Sequence, residues 1–98
     1  MLESKYQAQL IKKIAKTLPG CMILKMDPQQ NQGILDLLIL WGKSWGSLEV
    51  KTSATAAVQP NQEFFVSHLD GMSFAAFIHP GNETEVLDAL QQALAPGG

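Results

Sequence analysis

The stretch that decides the fold is Leu35-Asp36-Leu37-Leu38-Ile39-Leu40-Trp41, followed after Gly42-Lys43-Ser44-Trp45-Gly46 by Ser47-Leu48-Glu49-Val50-Lys51. Both runs are short and apolar, and turn-forming residues separate them, so they read as two strands of a hairpin. The first is apolar at every position but one, which suits a central strand covered on both faces. A charge inside such a run is costly unless something pairs with it. If the turn is Gly42-Lys43, Trp41 pairs with Ser44 and Asp36 falls opposite Glu49, with side chains about 5 Å apart on one face. Lys51, two residues beyond Glu49, shares that face. A turn centred one residue later, towards Ser44-Trp45-Gly46, puts the two acids in diagonal or opposite-face positions.

Two carboxylates and a lysine on one patch satisfy one another only in part. A divalent cation would complete the set, and that combination hydrolyses phosphodiesters. The simpler reading is an edge-strand salt bridge with Asp36 in a solvated notch. Glu-x-Lys alone discriminates poorly, because Glu3-Ser4-Lys5 is a second copy. That copy falls on a helix, where residues two apart do not face each other.

Working outward, residues 3–18 read as an amphipathic helix. Leu10, Ile11, Ile14, Ala15 and Leu18 form its apolar stripe, and Pro19-Gly20 stops it. Cys21 to Met26 is a short strand, and residues 27–33 are a polar loop. Past the hairpin, residues 52–58 form a small polar loop. Pro60 then opens a second helix that ends at Gly71. Phe74 to His79 is a further strand. Asn82, with Glu85 three residues on, predicts a capping box for a last helix over 83–95. Pro96-Gly97-Gly98 is a frayed tail. The order is α-β-β-β-α-β-α: an antiparallel meander, then a right-handed β-α-β crossover.

The 98 residues suffice for one domain, 1–98, whose limited core would gain from oligomerisation. Apolar residues make up 46% and charged residues 16%, as in a globular protein. A single cysteine, Cys21, leaves no internal disulfide and fits a reducing compartment. No signal run and no apolar stretch near the roughly 20 residues of a membrane span is visible, so a soluble, cytoplasmic protein is expected. The net charge of −2 hides an asymmetry. Residues 1–51 hold all seven lysines against four acids, a balance of +3, and residues 52–98 hold five acids and no lysine. Arginine is absent, so bidentate arginine readout of bases is excluded, while lysine contacts to phosphate remain open. Lys12, Lys13 and Lys16 are candidates for such contacts, although a lysine-bearing helix face is commonly just solvated. Trp41 and Trp45 are expected in packing rather than base stacking. No His/Cys spacing suggests zinc, and no glycine-rich phosphate loop is present.

Gly33-Ile34-Leu35-Asp36-Leu37-Leu38-Ile39-Leu40-Trp41, then Leu48-Glu49-Val50-Lys51, then Gln62 eleven residues on, resembles the VRR-NUC family of PD-(D/E)xK nucleases. The likeness spans roughly Glu3 to Ala95 and extends to the element order. One departure is Leu35, where the family usually has a proline that shapes the backbone and ligates nothing. The resemblance implies a restriction-endonuclease-like αβββαβα core, with a mixed, mostly antiparallel sheet flanked by helices. It implies that Asp36, Glu49 and the Val50 carbonyl bind Mg²⁺ or Mn²⁺, without an organic cofactor. Lys51 would orient or deprotonate the attacking water and offset charge on the phosphate. Gln62 would position the site, and Glu3 would reach the metal directly or through water. Otherwise Glu3 is an exposed helix-start carboxylate favoured by the macrodipole. A metal-dependent DNA endonuclease follows, a symmetric homodimer acting on branched DNA such as four-way junctions, in a bacterial or phage-infected cell. The rivals are a non-catalytic DNA-binding or dimerisation module of the same fold, and a restriction-type nuclease, for whose recognition segments the chain has little room.

Overall fold

The computed structural model describes residues 2–27 and 34–96. Helix α1 (Glu3–Thr17) leads into strands β1 (Met22–Lys25), β2 (Leu37–Trp41) and β3 (Ser44–Val50). Helix α2 (Pro60–Met72), strand β4 (Ala75–Ile78) and helix α3 (Glu83–Leu94) complete the chain. Of the polar loop expected at 27–33, residues 28–33 lie outside the described residues, as do 97–98 of the expected tail.

The strands form one mixed sheet in the order β1-β2-β3-β4. β1 and β3 flank β2 in antiparallel fashion, and β4 joins β3 in parallel through α2. The inner position expected for the Asp36 strand is therefore found. Trp41 pairs with Ser44 and Leu37 with Leu48, so Gly42-Lys43 is the turn. Gly42 has φ +61°, and no other residue of this turn has a positive φ. That pattern matches a two-residue hairpin turn with glycine at its first central position.

Alternation along the strands divides the sheet. One face carries Leu37, Ile39, Leu48, Val50 and Ile78, all fully buried. Helices α1 and α3 close over it with Tyr6, Leu10, Ile14, Leu18, Leu87, Leu90 and Leu94. Each such side chain contributes roughly 1.5–3 kcal/mol by leaving water. The apolar stripe of α1 thus runs through Tyr6, Leu10, Ile14 and Leu18; Ala15, expected in it, is exposed. Gly46 marks the closest approach of α3, since a Cβ there would sit 2.7 Å from Leu90 Cδ1. The Tyr6 hydroxyl donates to Glu83 Oε1 at 2.9 Å, and Lys13 Nζ reaches Glu83 Oε2 at 2.6 Å, so one carboxylate ties α1 to the start of α3.

The opposite face is more sparsely covered. There α2 packs on β4 and β3. It has no fully buried residue, and its Phe64 and Met72 are 61% and 65% exposed. The Phe64 ring stacks on His68 one turn along, 5.7 Å between centroids. Gly71 does not end this helix: α2 runs through it to Met72, and the Ser73 hydroxyl donates to the Trp45 carbonyl. Nor does Asn82 form the expected capping box. Its Oδ1 accepts from the His79 N–H and its Nδ2 donates to the Phe77 carbonyl, so the side chain shapes the β4–α3 turn instead.

Candidate active site

Asp36 directly precedes β2, and Glu49 is the penultimate residue of β3. The pairing of Leu37 with Leu48, continued by one step, sets these two acids opposite each other on the face that α2 covers. Asp36 remains tied to the hairpin beyond the last ladder pair: its Oδ2 accepts from the Val50 N–H at 2.8 Å. On its other side the Asp36 carbonyl accepts from the Met26 N–H. Within a strand, the N–H and C=O of one residue point to the same side. The Val50 carbonyl therefore faces the same edge as the N–H held by Asp36.

Glu49 is 6% exposed, an unusual burial for a carboxylate. Two partners hold it. Gln62 Nε2 donates to its Oε2 at 2.8 Å, and Lys51 Nζ stands 3.7 Å from the same oxygen. Lys51 Nζ also donates to Gln62 Oε1 at 2.9 Å and to the Ala57 carbonyl at 3.0 Å. Gln62 Oε1 further accepts from the Gln59 N–H at 3.1 Å, so this one side chain caps the α2 N-terminus and bridges Glu49 to Lys51. Capping and a place in the site are therefore not alternatives for Gln62; one side chain does both.

Burial pushes the Glu49 carboxyl up to about 7, and the charge of Asp36 adds to the shift. Lys51 and the Asp36 N–H oppose it, and Glu3 raises it further as the smallest contribution. A carboxylate in that condition is short of positive charge. The donor set, two opposed carboxylates and a carbonyl, is all oxygen and suits a hard divalent cation such as Mg²⁺ or Mn²⁺. Among the described residues no group of three or more His, Cys, Asp or Glu is placed to hold a metal. Such a site would thus have two carboxylates, beside the Val50 carbonyl. Glu3, exposed on the first turn of α1, is felt electrostatically but stands outside the pair.

The remaining candidates sit elsewhere. Lys12 and Lys16 are exposed on α1, while Lys13 is engaged by Glu83. Trp41 is half-buried and its Nε1 donates to the Pro19 carbonyl at 2.9 Å, which is packing. Leu35, directly before Asp36, is 1% exposed. Sequence reasoning missed the Ala57 carbonyl that anchors Lys51; any residue offers a carbonyl, so no sequence signal marks it. A crevice of about 480 Å³ between Trp41, Lys43, Ser44 and Leu94 lies at the hairpin-turn end of the sheet, away from the carboxylates, and has no acid in its lining. No protein-family model matches the chain, and no curated protein or solved structure matches it. Among the described residues, no helix is long and apolar enough to cross a membrane.

Proposed function

We propose that the protein is a metal-dependent DNA endonuclease of restriction-endonuclease-like fold, akin to the VRR-NUC nucleases, and that it hydrolyses phosphodiesters in branched DNA. The observation that carries this reading is the convergence of Asp36, Glu49, Lys51 and Gln62, brought together from the β2–β3 hairpin and α2 into one cluster. Asp36, Glu49 and the Val50 carbonyl would hold Mg²⁺ or Mn²⁺, with Glu3 acting through water. When bound, the cation supplies Lewis-acid polarisation of the phosphoryl group and a more acidic water. Lys51 donates to the phosphate as negative charge builds in the transition state. Gln62 holds the Lys51 ammonium and the Glu49 carboxylate in mutual register, which limits reorganisation during the reaction. With no arginine available, recognition rests on DNA shape and backbone contact, and exposed Lys12 and Lys16 are the candidates for phosphate.

A second reading has its own observation. Among the described residues no buried side-chain polar atom lacks a partner, so the cluster is internally satisfied and would also serve a non-catalytic module of the same fold. Incubation with linear duplex, single-stranded, flap and four-way junction DNA, in Mg²⁺, Mn²⁺ or EDTA, separates the two. Metal-dependent cleavage, strongest on a branched substrate and abolished in Asp36→Asn and Lys51→Ala, is the expected result. Binding without cutting in every metal would establish the module.

A further inference from the structure

We propose that His79 is a further DNA contact, its imidazole Nε2–H donating to a backbone phosphate next to the one held over the carboxylates. This rests on the proposed function and deepens it by assigning a residue at the β4 edge of the same site.

The placement follows from the ladder. Where Ser47 pairs with Ala75 in parallel, the Ser47 N–H donates to the Phe74 carbonyl. The Lys51 N–H donates to the Ile78 carbonyl at 2.8 Å in the same way. The register therefore runs one step beyond Val50 and Ile78 and sets His79 beside Lys51, about 5 Å away along the sheet. Pro80 holds the residue before it in extended backbone, so the alternation of β4 carries on through His79. Ile78 is buried in the core, and Phe77 and His79 fall on the face that carries Glu49 and Lys51.

The ring is held in one pose. The Gly81 N–H donates to its Nδ1 at 3.0 Å, which leaves the ring proton on Nε2. Among the described residues nothing pairs with Nε2, and His79 is only partly buried. Asn82 fixes the backbone beneath: its Oδ1 accepts from the His79 N–H at 2.9 Å, and its own N–H donates to the His79 carbonyl at 3.1 Å. A Cβ at Gly81 would lie 2.9 Å from Cε1 and 3.0 Å from Nδ1, so the imidazole rests tightly against a residue without a side chain. An asparagine or aspartate at 79 would serve the Gly81 N–H equally well. What histidine adds is a second nitrogen, on the far side of the ring from the turn.

The supply of donors points the same way. Residues 52–98 contain no lysine and no arginine. The Lys51 ammonium is already drawn to oxygens of Glu49, Gln62 and Ala57. A phosphate on the β4 side of Lys51 thus meets the His79 N–H, and a donor fixed beforehand loses little freedom on binding.

Fluorescence anisotropy with a labelled four-way junction in Ca²⁺, an oxygen-seeking cation like Mg²⁺, provides the test, with cleavage in Mn²⁺ scored separately. His79→Asn keeps an acceptor for the Gly81 N–H but does not reach the phosphate. It is expected to weaken binding by about tenfold, the scale of a hydrogen bond to a charged group, with the thermal midpoint unchanged. Gly81→Ala keeps the imidazole but displaces it, at a backbone conformation without positive φ, and is expected to match that loss. The double variant is expected to be no weaker than either. Replacing phosphates one at a time by neutral methylphosphonate locates the contact: wild type is expected to lose about tenfold at one position, and His79→Asn to lose nothing further there. A His79→Asn protein with wild-type affinity and a wild-type methylphosphonate profile overturns this proposal and leaves the nuclease reading standing. A loss spread evenly over all phosphates, or one that follows a lowered midpoint, makes His79 a folding residue and also overturns it. A protein that binds but never cuts removes the nuclease reading, and the phosphate scan still decides His79; a wild type that binds none of the DNA overturns both.

Discussion

The Val50 N–H lies 2.8 Å from Asp36 Oδ2, so a side chain takes the place of a backbone carbonyl just where the β2–β3 ladder ends. The consequence is that Asp36 is oriented by the main chain of the very strand that carries Glu49. Asparagine retains an oxygen for that hydrogen bond but loses the charge. Asp36→Asn is therefore expected to keep the fold and to raise the thermal midpoint of the metal-free protein above pH 7, because the like charge beside Glu49 is gone. Cleavage is expected to fall by about a hundredfold or more, the scale of losing one key electrostatic group. Melting curves in EDTA and single-turnover cleavage in Mn²⁺ check both halves; undiminished cleavage would remove Asp36 from the site.

The Glu49 carboxyl titrates near 7 in the folded chain against an ordinary value of 4.5. The folded state thus holds its proton more tightly than the unfolded state does. Whatever stability this proton confers is complete below about 4.5 and is lost progressively as pH rises towards 7, with no further loss from this group above that. The metal-free midpoint is expected to drop by several degrees over that window, and Glu49→Gln to flatten the profile. A saturating divalent cation should oppose the loss at pH 8, since it binds the ionised pair. A flat wild-type profile in EDTA would contradict the burial of an acid short of counter-charge.

Gln62 makes three hydrogen bonds, with Glu49 and Lys51 at the end of β3 and with the Gln59 N–H at the start of α2. Gln62→Ala is expected to cost about 1–3 kcal/mol in urea denaturation. Its cleavage defect should be smaller than that of Asp36→Asn, because the carboxylates themselves remain. Gln62→Glu places a third acid beside Glu49. It is expected to lower metal-free stability while tightening Mn²⁺ binding, measured by calorimetry.

Gly46 has no room for a side chain beneath α3, where Leu90 is fully buried. Gly46→Ala is expected to destabilise the protein by about 1–3 kcal/mol through overpacking, read from urea denaturation. The metal dependence of any cleavage should be unchanged, because the strain falls on the face away from the carboxylates.

The hairpin is the most legible part of this chain, since both strands announce themselves and a two-residue turn sets the register without a long-range partner. That register brings Asp36, Glu49 and Lys51 onto one face, so three of the four cluster residues are readable directly from spacing. The approach of Gln62 is accessible only through the family resemblance, because it depends on where α2 lands on the sheet. Helix ends are less legible. Gly71 stays within α2, one residue from its end, because a glycine's cost of about 1 kcal/mol is overridden by the turns that precede it. Asn82 has the residue type and spacing of a capping box but meets nearer partners in the His79 N–H and Phe77 carbonyl. Tyr6 escapes the stripe reading because its phenol looks polar until Glu83, seventy-seven residues away, accepts its hydrogen bond.

Core and cluster residues interleave along β2 and β3: Leu35 and Leu37 bracket Asp36, and Leu48 and Val50 bracket Glu49. A hairpin threaded one position out would put the two acids on opposite faces, driving one of them among the leucines of α1 and α3 and turning that strand's leucines away from them. Misassembled molecules of that kind are excluded by their own instability, so any chain that packs its interior has also aligned its carboxylates. Folding here acts as a checksum on the chemistry, and an insertion of a single residue between Trp41 and Ser44 is the edit that would break both at once.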